Sequence, residues 1–365
     1  MNRERSHVPN EETNRKDAPP QRPLPRSTEE YRAMLAALPD LLASTLSHPL
    51  ETGVIDRLAS ARRIIFTGCG SSWPVAFASA ELFSKYGYPA WSEYTSQILE
   101  KGVWTPRDVV ILISQGWNRS DACRVTDKVL SSSPATLVVV TGRSEHRESH
   151  LARASSEDSN NRLFTLSIDP NKEKLFCRPA SPVTSFAKVV HVFQELTGQS
   201  GLLASVRKAV DMTMHQKISV PAWEVIPQKV VIMGSGALYG AAQGIALMLR
   251  EGAGIESEAY ECEAYGHGLY VPHQYQCQID PGSIKFVLIS GVDSQDGATR
   301  LIPLLRDTGM RYEEWGSHEK LTGAFVQHLI TGSTLVRMLN ERTFFDMNTP
   351  PGMEENRAFH EEGGL

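Results

Sequence analysis

No run of apolar residues in this 365-residue chain approaches the length of about 18 needed to span a membrane. An apolar stretch of the kind that follows the charged start of a secretory signal is also missing after residues 1–5, so no signal peptide is expected. Cysteine is scarce: Cys69, Cys123, Cys177, Cys262 and Cys277 are odd in number, widely spread and without a CxxC pair. That speaks against a disulfide framework, gives no zinc pattern, and suits thiols kept reduced in the cytoplasm. Positive charge is not in excess either, since 37 Lys and Arg against 42 Asp and Glu leave a formal net charge of -5. Such a balance argues against a dedicated surface for nucleic acid or anionic membrane. What is present, 41% hydrophobic and 22% charged residues, is the composition of a globular protein long enough for two domains with cores of their own.

Residues 1–27 hold few apolar side chains and several prolines and are expected to form a disordered tail. From Thr28 on, Tyr31, Met34, Leu35, Leu38, Leu41 and Leu42 fall at helical spacing and predict an amphipathic leading helix. Short β-branched apolar runs follow at 63–66, 109–113, 136–140 and 163–167, with helical patterns at 73–86, 120–130 and 145–154 between them. Strands that alternate with helices and are apolar throughout predict a parallel sheet covered on both faces. A helical stretch over 186–216, broken at 198–201, leads into the second half. There strands are expected at 229–233, 255–260, 284–290 and 311–315, and helices at 238–251, 297–307 and 325–342. The halves also begin alike. IIFTGCGSSWPVA near residue 64 and VVIMGSGALYGAA near residue 230 both run from an apolar strand through Gly-x-Gly into a helix, about one domain length apart. The expected fold is therefore α/β, with two tandem doubly wound, flavodoxin-like parallel-sheet domains over 28–205 and 206–365.

A strand that ends in Gly-x-Gly and opens into a helix gathers backbone N–H groups and the helix dipole at one point, which favours phosphate or carboxylate. In an open parallel sheet this point lies at the carboxyl ends of the strands, where ligands bind. For the turn from Gly234 through Gly236 to Gly240, a dinucleotide fingerprint with Glu256 or Glu258 on the ribose competes with glycines serving only a tight turn. The spacing is one residue too long for the fingerprint. In the earlier turn, Gly68-Cys69-Gly70 is followed by Ser71 and Ser72, whose hydroxyls can cap the helix or hold an anion.

Residues 247–268, LMLREGAGIESEAYECEAYGHG, resemble the tandem SIS (sugar isomerase) family, in particular the isomerase half of glucosamine-6-phosphate synthase. Arg250-Glu251, Glu258-Ala259-Tyr260 and Gly266-His267-Gly268 stand where that family has Lys-Glu, Glu-Ala-Tyr and Lys-His-Gly. Cys69-Gly70-Ser71-Ser72 is similar to its Cys-Gly-Thr-Ser, and Ser114-Gln115 to the start of its Ser-Gln-Ser-Gly-Glu-Thr loop. Residues 182–186 (PVTSF) resemble the Thr-Ser-rich segment before the family's crossover helix, and residues 346–350 (DMNTP) its Asp-x-Asp-Gln-Pro.

The resemblance covers roughly 55–350 and implies that Glu251 moves a proton between C1 and C2 of an open-chain sugar. It implies that His267 helps open the ring, reaching the site from the partner of a homodimer. Ser71, Ser72, Ser114 and Gln115 would hold the sugar and its anionic end. The loop residues Asn118, Arg119 and Ser120 would join them, with Thr184 and Ser185 from the helix that follows. The chemistry is consistent, since an enediol needs one positioned base and ring opening needs an acid or base near neutrality. Neither cofactor nor metal is implied. The expected protein is a cytoplasmic enzyme on an amino sugar or sugar phosphate, either an aldose–ketose isomerase or a sugar–amine deglycase. The alternative is a non-catalytic sugar-phosphate sensor, although such regulators often carry a DNA-binding domain and none is visible here.

Three departures qualify the expectation. After Ser114-Gln115, Gly116 replaces the family's second serine, Trp117 its glycine and Arg119 its threonine. A bulky indole where backbone wraps a phosphate points to a different or smaller head group, and a guanidinium at Arg119 accepts carboxylate as well as phosphate. Residues 351–365 hold Arg357 but no lysine, so the family's Schiff-base lysine is not expected, because a guanidinium stays protonated. Met248 replaces the family's lysine one turn before the Glu, and no glutaminase domain precedes the pair, so glutamine-derived ammonia is not expected. Together these tilt the expected substrate toward an unusual, even non-phosphorylated, sugar.

Overall fold

The computed structural model describes residues 24–347 except 101–103, 116–119, 133, 143–149, 159, 170–174, 176, 216–222 and 224. The expected N-terminal tail thus lies almost wholly outside the described residues. The chain enters through α1 (Arg26–Ala36), α2 (Leu38–Ser47) and α3 (Val54–Ala59). One leading helix was expected and two are found, because Pro39 in the first turn of α2 has no N–H to continue α1 and its ring crowds the turn before it.

The first sheet comprises β1 (Arg63–Gly68), β2 (Ala90–Ser92), β3 (Asp108–Ile113), β4 (Thr136–Thr141) and β5 (Leu163–Ser167). All pair in parallel, in the order β2-β1-β3-β4-β5. The connections run through α4 (Ser72–Lys85), α5 (Thr95–Glu100), α6 (Ser120–Ser132) and α7 (His150–Glu157). Helices cover both faces, so β3 and β4 are buried along their whole length and read as unbroken apolar runs. The edge strand β2 was not expected; its three residues are half-buried and too few to show a period.

Two helices, α8 (Ser181–Thr197) and α9 (Leu202–His215), lead across to the second half. Helix α8 starts five residues before the expected 186, with Pro182 in its first turn, where a missing N–H costs nothing. The second sheet comprises β6 (Lys229–Gly234), β7 (Glu256–Glu261), β8 (Ile284–Gly291) and β9 (Tyr312–Ser317), parallel in the order β7-β6-β8-β9. Its helices are α10 (Ala237–Ala253), the short α11 (Cys262–Ala264) running into a kinked segment at Tyr265–Leu269, α12 (Val271–Ile279), α13 (Gln295–Asp307) and α14 (Leu321–Thr343).

In both sheets the strand order reverses beside the first strand, between β1 and β3 and between β6 and β8. A crevice opens at the carboxyl ends there. The second glycine of each turn has a positive φ, +54° at Gly70 and +55° at Gly236, which glycine adopts without steric cost. The halves join through α4, α10 and α14, and a single core runs from Phe83 on α4 through Leu249 on α10 to Val336 on α14. A Cβ on Gly240 would stand 2.8 Å from the Pro74 carbonyl oxygen, so the third glycine of the second turn serves the close approach of α10 to α4. That accounts for it without a dinucleotide. Among the described residues no helix is long and apolar enough to cross a membrane.

Candidate active site

Strands β1 and β3 end level with each other, Gly68 pairing with Ile113, and a cavity of about 130 Å3 opens beyond them. The turn Cys69–Ser72 and the post-strand residues Ser114 and Gln115 line one side. Ser181 and Ser185 line another from the first turns of α8, and Glu251 reaches in from the last full turn of α10. Both halves therefore build it. Ser71 makes no side-chain cap to α4, so the helix leaves its hydroxyl to the cavity.

Arg178 brings a positive charge into the wall. Its Nε donates to the Leu175 carbonyl at 3.1 Å and its Nη1 to the Gln115 side-chain oxygen, which fixes both the fork and the amide. Across the floor the Cys69 thiol lies 3.1 Å from the Thr95 hydroxyl and 3.6 Å from Asp121 Oδ2, at the start of α6. Glu251 is held from behind. The buried Asn340 on α14 donates from Nδ2 to the Gly252 carbonyl at 2.7 Å and the Phe345 carbonyl at 2.6 Å, and accepts from the Thr28 hydroxyl at Oδ1. A side-chain amide thus ties the end of α10 to α1 and to the segment after α14.

Of the residues singled out from sequence, Ser71, Ser72, Ser114, Gln115, Ser185 and Glu251 line this one cavity. Thr184 does not: it is fully buried, with its hydroxyl on the Ala180 carbonyl at 3.1 Å and the Ser181 carbonyl at 3.2 Å. Adjacent residues on a helix point about 100° apart, so Ser185 and Thr184 cannot share a face. Ser120 opens α6, but its side chain lies outside the described residues, as do Asn118 and Arg119. His267 stands elsewhere, at the kink after α11, with its side chain 78% exposed and Nε2 3.8 Å from Glu263 Oε1. It borders a separate cavity of about 500 Å3, so a single chain does not bring it to Glu251. Sequence reasoning missed Arg178 and Asp121. Neither belongs to a motif of fixed spacing, and only the fold turns them toward the serines.

A second chamber of about 630 Å3 adjoins the first and shares Cys69, Gly70, Thr95 and Asp121 with it. Trp73 stacks on Tyr94 in its wall, ring centroids 3.9 Å apart at 20°. Opposite are Glu258 and Tyr260 of β7. Glu258 accepts from Lys229 at 2.7 Å, from the Tyr260 hydroxyl at 2.8 Å and from His273 Nε2 at 3.2 Å. Burial alone would raise its pKa, but the bonds from Lys229 and Tyr260 prevail and hold it below the usual carboxylate value. His273 Nδ1 lies 3.1 Å from the Tyr265 hydroxyl, and burial lowers its pKa, against the pull of Glu258. A neutral ring with its proton on Nε2 satisfies both partners. Among the described residues no group of three His, Cys, Asp or Glu side chains is placed to hold a metal ion.

The sequence profile of the SIS domain matches residues 57–161, which span the first sheet from before β1 to just short of β5. This chain carries a SIS domain. The fold as a whole recurs in solved structures. Glucosamine-6-phosphate deaminase from Thermotoga maritima is 16% identical, with a TM-score of 0.66 over 89% of this chain and 97% of that one. The C-terminal domain of glucosamine-fructose-6-phosphate aminotransferase from Francisella tularensis is 14% identical, with a TM-score of 0.67 over 88% and 98%. Tagatose-6-phosphate ketose/aldose isomerase from Escherichia coli is 17% identical, with a TM-score of 0.66 over 89% and 96%. At these identities the likeness is one of fold, and it covers both sheets. No curated protein sequence matches the chain.

Proposed function

We propose that this SIS protein is an enzyme that acts on an amino sugar or sugar phosphate by proton transfer at C1 and C2, with Glu251 as the base. The observation that carries the proposal is that Glu251 lines one cavity with several hydroxyls and an arginine at the switch point of the first sheet. A carboxylate suits the task because it can take a proton from one carbon and return it to its neighbour without leaving the substrate. Ser71, Ser72, Ser114 and Ser185 offer hydroxyls to the polyol, and Arg178 offers a charged fork to an anionic end, phosphate or carboxylate. The compared proteins named above are a deaminase, an aminotransferase domain and a ketose/aldose isomerase of sugar phosphates, in keeping with this class of substrate.

The same proton transfer serves an aldose–ketose isomerisation or the cleavage of a sugar–amine adduct. The altered loop at Trp117 and Arg119 favours an unusual, even non-phosphorylated, substrate. The protein acts as a homodimer, with the partner's copy of His267 completing the site. Support comes from the exposure of His267 and from the exposed apolar side chains that follow it, Leu269, Val271, Tyr275 and Ile279, the last three four residues apart along α12.

The test is exchange of substrate C1 and C2 protons with deuterated solvent, followed by NMR. The panel is glucosamine 6-phosphate, fructose 6-phosphate, a fructosamine and an acidic sugar. Exchange on at least one, lost in Glu251→Gln while the melting-temperature shift with that ligand persists, is expected. Exchange undiminished by Glu251→Gln refutes the mechanism. Binding without any exchange marks a sugar-sensing protein instead.

A further inference from the structure

We propose that Asp121 is a second catalytic residue of this site, the base that opens a ring-closed sugar before Glu251 acts on its carbons. The inference rests on the reading of Glu251 given above. It adds the step that must come first, since isomerisation and adduct cleavage both start from an open-chain sugar.

Helix α6 buries Ala122, Val125 and Val129 in one cluster with Val110 and Leu112 of β3. That stripe sets the rotation of the helix. It leaves Asp121 in the first turn of α6, where the side chain lines the Glu251 cavity. An acidic residue in a first turn can serve as no more than a partner for the helix dipole. Asp121 has a further tie. The Cys69 thiol donates to its Oδ2 at 3.6 Å, and the Thr95 hydroxyl lies 3.1 Å from that thiol. The carboxylate is thus held to the Gly-x-Gly turn whose serines line the same space.

Elimination among the lining residues leads to the role. Four of them carry groups that titrate: Cys69, Asp121, Arg178 and Glu251. The guanidinium stays protonated, and the thiol proton is engaged by Asp121. Serine, threonine and glutamine side chains make hydrogen bonds but do not titrate near neutral pH. Glu251 cannot take both protons in one pass, because a carboxyl that had accepted the hydroxyl proton would meet the carbon already protonated. His267 of the same chain borders a separate cavity. Among the described residues that leaves Asp121. In the step, Asp121 takes the proton of the anomeric hydroxyl, and the electron pair of that O–H bond closes the C=O double bond. The bond from the anomeric carbon to the ring oxygen breaks, and its pair takes a proton from water. The hydroxide so formed recovers the proton from Asp121, which is then ready for the next sugar.

The test compares ring sugars with analogues that have no hydroxyl able to close a ring, by exchange of the protons beside the carbonyl with deuterated solvent. One pair is glucosamine 6-phosphate and its 5-deoxy analogue; the other is 1-amino-1-deoxyfructose and its 5,6-dideoxy analogue. Initial rates are measured with the full chain in excess, so that spontaneous ring opening contributes little. Asp121→Asn is expected to slow exchange on a ring sugar by about 100-fold and on its open analogue by less than about threefold. Exchange on the open analogue also reports that the variant is folded, and Asp121→Ser, which keeps a polar group at the helix start, repeats the test if the amide destabilises it. Equal losses on ring and open compounds make Asp121 a structural residue and overturn the proposal, as does exchange undiminished on both. Selective loss on ring sugars in His267→Asn but not in Asp121→Asn assigns the opening to the histidine and overturns it too. Exchange by the parent on none of the four compounds removes the inference together with the Glu251 assignment.

Discussion

Asn340 joins α1, the end of α10 and the segment after α14 through one side-chain amide, so its replacement tests how the chain holds Glu251 in place. Asn340→Ala deletes the donors to the Gly252 and Phe345 carbonyls and the acceptor for the Thr28 hydroxyl, in a residue with no exposed surface. A buried polar group left without a partner costs about 1–3 kcal/mol. With two carbonyls orphaned and some relaxation allowed, the expected loss is about 3 kcal/mol. Thr28→Val removes only the hydroxyl bond and should cost about 1 kcal/mol. Asn340→Asp keeps the acceptor for Thr28 but turns carboxylate oxygen toward two carbonyl oxygens, so at neutral pH it should be at least as harmful as alanine. Urea unfolding of the three variants beside the parent measures the order. Because Gly252 follows Glu251, the alanine variant should also lose Glu251-dependent proton exchange at a temperature where it is still folded. Binding of anionic sugars, which the proposed function assigns to Arg178 and the serines, should change little. A loss below about 1 kcal/mol for Asn340→Ala, or a tolerated Asn340→Asp, refutes the reasoning.

Two further outcomes follow from other parts of the chain. His328 on α14 is fully buried, its Nε2–H donates to the Ser290 carbonyl at 2.9 Å, and burial lowers its pKa from 6.5 to about 4. Between those values the unfolded chain binds the extra proton, so this stability is present above pH 6.5 and is lost as pH falls toward 4, by up to about 3 kcal/mol. Denaturant midpoints at pH 7.5 and 5 should show the loss, and His328→Gln should flatten that part of the profile; an equal slope in the variant would assign it to other groups. On α12, the pair Tyr275→Lys and Ile279→Lys places charge on two side chains that are 66% and 68% exposed. If they sit at a dimer contact, light scattering should show the mass halved and Glu251-dependent exchange lost with the circular dichroism unchanged, whereas an unaltered mass would contradict the homodimer.

The amino-acid sequence alone was enough for the tandem α/β architecture, because β3 and β4 are buried on both faces and so read as continuous apolar runs. The two Gly-x-Gly turns carried equal weight, since a positive φ at Gly70 and Gly236 demands the same residue in each half. Local rules have less hold on short or atypical elements. Strand β2 is three residues at an edge, and α12 turns apolar side chains outward, so neither shows a period that points to a core.

At the site, the strand-to-helix turn by itself marked Ser71 and Ser72, whereas Ser114, Gln115 and Glu251 were marked by their resemblance to motifs of the SIS family. Which of them meet was a tertiary decision. Ser185 faces the cavity and Thr184 the core because α8 packs with one side against the interior. Arg178 and Asp121 enter the wall because β3 and α8 bring distant loops to one point. His267 is carried away from Glu251 by the kink at His267 and Gly268 after β7, whose geometry no short-range pattern encodes. Periodicity and turn chemistry act over a few residues and are written in the sequence itself. The facing of Glu251, Arg178 and the serines across a cavity depends on how two sheets and their helices pack, a sum of many small contacts that no single segment contains.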